Sequence, residues 1–188
     1  MPKLVIDATG DEFFMPDDDW YWWGNNGAEL PGETYRLMVS NAEHSMATGI
    51  PTVLEGINGF IHSINYNGVR PNLTWTTDRE TGVITATTNV KPDKAVLRFA
   101  TTTSGDRRDF RLIKGDTPAD PCKFIPVKIF GEACINPIIW IGEDLAPTSQ
   151  DEETGLYTYV GSQPLPPVEE GWRGFFIDFY YPAPRGTT

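Results

Sequence analysis

The sequence predicts an α/β chain in two parts: the C-terminal end of a doubly wound α/β domain over residues 1–67, then a small β-sandwich over 71–182. Three observations predict it. Leu4, Val5 and Ile6 form an unbroken apolar run, the mark of a strand covered by neighbours, as in parallel sheets. Val53, Leu54, Ile57, Phe60, Ile61 and Ile64 recur at three- and four-residue steps, the period of a helix lying on a sheet. After Tyr66-Asn67-Gly68-Val69-Arg70-Pro71 the period changes. Short, partly alternating segments follow, separated by Gly, Pro, Asp and Asn.

The first strand is predicted over 3–8. Thr9-Gly10-Asp11 breaks it, because Gly10 permits a tight turn, and Asp11 lands at the C-terminal edge where open α/β sheets gather ligands. Phe13, Phe14 and Met15 are expected to cover the site or an adjacent helix. Pro16 and Asp17-Asp18-Asp19 suit the first turn of a short helix, Pro by its fixed φ and the carboxylates by the helix dipole. Trp20-Tyr21-Trp22-Trp23 is the densest aromatic cluster. It reads as packing of that helix on the sheet in preference to a pocket wall. A second strand is predicted over 35–39, a polar loop from Ser40 to Gly49, and a helix from Pro51, with Gly56 and Gly59 allowing close approach to the sheet. Eight strands are then predicted over 73–76, 83–88, 95–102, 107–113, 124–130, 135–141, 156–160 and 172–181, with 143–153 as a polar connection.

The chain carries 15 Lys and Arg against 26 Asp and Glu, a formal charge of -11. That balance excludes proteins that bind through the nucleic-acid backbone or an anionic membrane surface. No apolar run reaches the 18 or so residues of a membrane-spanning helix. The first residues hold one Lys and pass directly into a strand pattern, without the cleavage site of a signal peptide. A compact domain rarely starts so abruptly on a buried strand. The expectation is sequence upstream of Met1 or, as the alternative, a complete protein that recruits a partner for the missing strands. Cys122 and Cys134 could close a short loop if the protein is secreted, or stay as core thiols. Asn72-Leu73-Thr74 has the N-glycosylation acceptor pattern.

The chemistry converges on Asp11 and His44. A Ser–His–acid triad needs an imidazole that takes the nucleophile's proton and a carboxylate that holds the imidazole in the right tautomer. In α/β-hydrolases the order is nucleophile, acid, histidine. Here an acid closes one predicted strand and a histidine follows the next, 33 positions on. Asp7 and Glu12 are the rival acids. The competing readings are a turn carboxylate for Asp11 and, for His44, a loop histidine satisfied by Glu43 or backbone. None of Thr9, Ser40, Ser45 and Thr48 lies in a Gly-x-Ser-x-Gly elbow, so the acid and base stand without a nucleophile. Calcium on Glu12, Asp17, Asp18 and Asp19 is a minor reading, since their spacing is not that of an EF-hand. Two cysteines and two histidines lack a zinc spacing, and no glycine-rich phosphate loop follows a strand. No metal and no cofactor are expected. Trp75, Trp140 and Trp172 read as core of the sandwich ahead of a sugar-stacking surface.

Leu4-Val5-Ile6-Asp7-Ala8-Thr9-Gly10-Asp11-Glu12-Phe13-Phe14, running on to Trp20-Tyr21-Trp22, together with Asn41-Ala42-Glu43-His44-Ser45, resembles the PhoPQ-activated pathogenicity-related proteins, a family that includes a secreted repressor of proliferation. Glu170-Gly171-Trp172-Arg173-Gly174-Phe175-Phe176-Ile177-Asp178-Phe179-Tyr180-Tyr181-Pro182 resembles that family's closing strand. The resemblance implies the C-terminal end of an α/β-hydrolase-like domain followed by a β-rich domain. It also implies Asp11 at the acid position, His44 at the histidine position, a serine on an earlier strand absent here, and an extracellular parent protein. Two functions follow as expectations. One is a fragment of a serine hydrolase acting on a small-molecule or peptide substrate, inactive by itself. The other is a non-enzymatic signalling or binding protein that uses its β domain for protein or glycan contact.

Overall fold

Leu4, Val5 and Ile6 lie in strand β1 (Lys3–Ala8), which pairs in parallel with β2 (Thr34–Val39) from Lys3↔Thr34 to Ala8↔Val39. The structure is a computed structural model that describes residues 1–17, 31–119, 121, 125–129, 133–136 and 138–182. The aromatic cluster at 20–23, together with Asp18 and Asp19, lies outside these residues. Helix α1 (Ile50–Asn65) follows, with Pro51 in its first turn, where the missing N–H costs nothing.

Val53 of α1 packs with Ile6 and Leu37 around buried Ala8, Val39 and Ala42. A Cβ on Gly56 would meet Leu37 Cδ2 at 2.5 Å, so this glycine sets the helix–sheet distance. Gly59 has open space around it and has no such role. Leu54, Ile61 and Ile64 are exposed. Among the described residues only one stripe of the predicted apolar face is covered.

The remainder is antiparallel. β3 (Leu73–Thr77), β4 (Ile84–Thr88), β10 (Ser149–Gln150) and β11 (Tyr157–Gly161) form a sheet in the order β10–β11–β4–β3. β5 (Lys94–Thr101), β9 (Ile141–Leu145) and β12 (Arg173–Tyr180) form a second, in the order β12–β5–β9. β6 (Ile113–Gly115), β8 (Ala133–Ile135) and β7 (Ile125–Ile129) form a third, in the order β6–β8–β7. The first two meet through side chains. The Tyr159 ring lies edge-on to Phe179 at 5.1 Å, and the Tyr181 hydroxyl donates to Thr88 Oγ1 at 3.0 Å. The described residues thus form a mixed α/β fold with one long helix and several β-sheets.

Two predicted strands are placed differently. Of 107–113 only Ile113 is in a strand; the rest is a loop. The segment 135–141 is the end of β8 and the start of β9, parted at Asn136, whose N–H bonds to Leu112 O at 2.7 Å. Of the three tryptophans, Trp140 is core, packed on Phe110 and Phe176 at 5.5 and 5.4 Å. Trp75 and Trp172 are about half exposed. Cys134 is disulfide-bonded and is not a free core thiol; Cys122 lies outside the described residues.

Candidate functional site

Because β1 and β2 run parallel and in register, their C-terminal ends lie side by side, and the loops that follow are stitched together. Thr9 N–H donates to Val39 O at 3.0 Å, Gly10 N–H to Ala42 O at 2.9 Å, and Asn41 N–H to Thr9 Oγ1 at 2.8 Å. Thr9 is fully buried. This stitching brings Asp11 and His44 together: His44 Nδ1 lies 2.9 Å from Asp11 Oδ2. The other oxygen, Oδ1, accepts the N–H groups of Phe13 at 2.7 Å and Phe14 at 2.9 Å. The turn at 11–14 therefore holds the carboxylate from one side while the imidazole holds it from the other.

Burial pushes the Asp11 carboxyl up, but the two backbone N–H groups and the His44 ring outweigh it, and its pKa lies below the ordinary value. The carboxylate stays ionised and acceptor-only, which is what orients a neutral imidazole with its proton on Nδ1. Nε2 then becomes the basic nitrogen. Among the described residues Nε2 has no hydrogen-bond partner, and the His44 side chain is 47% exposed. Phe13 stands edge-on to the imidazole at 4.7 Å and Phe14 is tilted beside it at 6.0 Å. The expected aromatic cover is thus present, as two exposed phenyl rings flanking the histidine.

The rival carboxylates bond elsewhere than to the His44 ring. Asp7 pairs with Arg36 at 3.3 Å. Glu12 serves the histidine's backbone instead of its ring, Oε2 accepting His44 N–H at 2.9 Å. Glu43 does not satisfy His44. Its buried carboxylate accepts from the hydroxyls of Ser45 and Thr48 and from the N–H of Ala47, the last two at 2.7 Å each. Burial raises its pKa, but these donors prevail and hold it at about 2. Glu43 is the clamp of the histidine loop, a role the sequence reading missed. The signal was local: a Glu followed by Ser45 and Thr48 across a tight turn is a set of donors arranged about one acceptor.

A second missed residue is Asn41. It sits in the left-handed region, at φ 60°, which Asn tolerates better than most residues. Its side chain bridges to the β-rich part: Nδ2 donates to Trp140 O at 2.9 Å, and Oδ1 accepts Trp140 N–H at 2.7 Å. A third tie runs from Leu112 N–H to Gly10 O at 2.9 Å. A Cβ on Gly10 would meet Leu112 Cβ at 2.6 Å, so glycine is needed here for close approach as well as for the turn. Residues 11–16 and 107–111 face each other across a cavity of about 240 Å³ beside the dyad. Its walls are Phe13, Phe14 and Phe110, with Arg107 and Arg108 exposed nearby.

Chemically, the arrangement can accept a proton at Nε2 and stabilise the resulting imidazolium through Asp11. Among the described residues no hydroxyl is hydrogen-bonded to His44. Ser45 and Thr48 donate to Glu43, and Thr9 accepts from Asn41. Also among the described residues, no three His, Cys, Asp or Glu side chains gather where they could hold a metal ion, and no helix is long and apolar enough to cross a membrane.

Autocrine proliferation repressor protein A of Dictyostelium discoideum is 35% identical over 188 residues, an alignment covering 96% of this chain and 33% of that protein. The chain therefore spans about a third of the length of this relative. No solved structure matches it. The model of the PhoPQ-activated pathogenicity-related protein matches residues 1–111, from β1 through both stitched loops to the far wall of the cavity. On that match, which covers more than half of its residues, the chain belongs to the PhoPQ-activated pathogenicity-related protein family.

Proposed function

We propose that the protein is a secreted signalling or binding protein of the proliferation-repressor kind, built on an α/β-hydrolase-like scaffold that keeps its acid–histidine pair. The observation that carries this reading is the likeness to the repressor along 96% of the chain. In this reading residues 1–67 are the end of the hydrolase-like domain and 71–182 are a β-sandwich. The meeting of the two larger sheets through Tyr159, Phe179 and Tyr181 supports the sandwich. An extracellular setting is supported by the disulfide at Cys134, a bond that persists in oxidising compartments. The exposed rings of Trp75 and Trp172 suit contact with a protein or glycan.

The test separates binding from catalysis. The intact protein, as wild type and as His44→Ala, is added to dividing cells of its source. Slowing of growth by both proteins to the same extent is the expected result. Loss of the effect in His44→Ala, with an unchanged melting temperature, would move the assignment to an enzyme, and no effect from the wild type would overturn the repressor reading.

One observation favours a second reading: the 2.9 Å contact of Asp11 with His44, with Asp11 held ionised. In this reading the parent protein is a serine hydrolase of α/β type, with Asp11 and His44 as acid and base and the nucleophile on another strand. The chain of 188 residues alone is then expected to show no labelling by a fluorophosphonate probe. Labelling at the rate of an ordinary serine hydrolase would show that the triad has been assigned to the wrong residues.

A further inference from the structure

We infer that the uncovered flank of α1 pairs two copies of the chain, their helices antiparallel about a two-fold axis at Ile57. The helix is apolar on two sides. Val53, Gly56 and Phe60 face the sheet: Val53 joins the cluster around Val39, Gly56 lies against Leu37, and the Phe60 ring is 5.9 Å from that of Tyr35. Ile50, Leu54, Ile57, Ile61 and Ile64 form a second row beside the first. Leu54 is 61% exposed, Ile50, Ile61 and Ile64 are exposed, and Ile57 is partly so. Contiguous apolar surface of this kind is uncommon on a protein without a partner for it.

The spacing of the second row selects its occupant. From Ile50 the steps are four, three, four and three residues. That is the narrow seam of one helix packed along another, where every residue of the row enters a gap between four side chains of the facing helix. The row also reads nearly the same from either end. Ile50 and Ile64 lie seven positions to either side of Ile57, and Leu54 and Ile61 lie three and four positions from it. An antiparallel copy therefore sets Ile50 opposite Ile64, Leu54 opposite Ile61 and Ile57 opposite itself. Two-fold pairing requires such a self-complementary patch.

Charge points the same way. At a formal charge of -11 two copies repel each other over most of their surface. Within α1 the ionisable side chains are Glu55 and His62, and neither is in the row. The exposed amides Asn58 and Asn65 border it as an uncharged rim. The row is thus a place where two acidic copies approach with little repulsion. The helix also gains from a second covered side, since Gly56, Gly59 and a run of β-branched residues give it a low intrinsic propensity. From Ile50 to Ile64 the row is about 21 Å long. Two helices matched over that length bury on the order of 1,000 Å² in total, the threshold of a specific interface. Association is therefore expected at roughly micromolar concentration.

Sedimentation of the whole chain over roughly 1 to 100 μM tests this. The expected result is a mass that climbs with concentration from 21.0 kDa to twice that value. Leu54→Glu and Ile61→Glu each alter an exposed side chain, so their circular dichroism stays at wild type while the dissociation constant rises more than about tenfold. Orientation is read from cysteines. Under mild oxidation a mixture of Ile50→Cys and Ile64→Cys chains gives a disulfide-linked pair, and Ile50→Cys alone does not. This cross-link also decides the case if a glutamate variant fails to fold. A wild type that stays monomeric at every concentration overturns the inference and leaves the row to a different partner. A dimer that tolerates both glutamates and gives no mixed cross-link overturns the seam. Cross-linking of Ile50→Cys to itself makes the pair parallel and overturns the axis at Ile57.

Discussion

Replacing Glu43 with glutamine is expected to lower the unfolding free energy by about 3 kcal/mol at pH 7, and to do progressively less harm as the solution is acidified. The carboxyl has an ordinary pKa of 4.5 and is held at about 2 in the folded chain, and each unit of difference is worth about 1.4 kcal/mol between the two states. The folded pKa is depressed, so the stabilisation is fully present above the unfolded value and is lost as pH falls through the folded one. The window is therefore about pH 5 to pH 2. Urea titrations of the two proteins at pH 7, 4 and 2 check this. At pH 7 the midpoint on heating should drop by about 6–12 °C for a chain of this size, and near pH 2 the two curves should nearly coincide. A difference independent of pH would mean that Glu43 acts by shape and not by charge. A loop released from Glu43 should also let His44 drift from Asp11.

Asn41→Ala is expected to cost about 3–5 kcal/mol. Two effects combine. The alanine must adopt φ 60°, where its Cβ crowds the backbone. The buried Trp140 backbone loses both its donor and its acceptor partner, each loss costing about 1–3 kcal/mol when no water replaces it. Asn41→Gly separates the effects, because glycine adopts the same φ without strain but restores neither bond. It should be more stable than Asn41→Ala by about 1–2 kcal/mol and still less stable than wild type. If alanine and glycine prove equal, the backbone conformation carries no cost; if both match wild type, the bridge to Trp140 is not a structural tie.

The first two strands and the helix were legible because their physics is local. Leu4-Val5-Ile6 can only be covered, and Val53, Ile57 and Phe60 can only share a helical face. Asp11 and His44 were legible for a related reason: a polar residue directly after each of two parallel strands must end at the same edge. What escaped was set by distant partners. Residues 107–112 imitate a strand, since Phe110 and Leu112 alternate with Asp109 and Arg111, yet Phe110 turns into the Trp140 cluster and Leu112 bonds to Gly10. The greater part of β9, Glu143–Leu145, was hidden in the stretch read as a polar connection, because Ile141, Gly142, Glu143 and Asp144 are all exposed and show no apolar alternation. Its Gly142 is explained only by β5, whose Val96 and Arg98 side chains leave no space for a Cβ.

Asn41 and Trp140 are separated by 99 positions, and that interval has a meaning in time as well as in space. Synthesis at roughly 5–20 residues per second delivers Trp140 on the order of ten seconds after Asn41. Throughout that interval the histidine loop is without the groups that fix its left-handed residue, and Gly10 is without Leu112. Ordering loops across so long a separation is also entropically slow. The loops that carry the acid–histidine pair are therefore completed only once Trp140 is available, well after Asp11 and His44 themselves are made. A ribosome-stalled series of lengths should show the His44 ring becoming ordered only once residue 140 has cleared the exit tunnel.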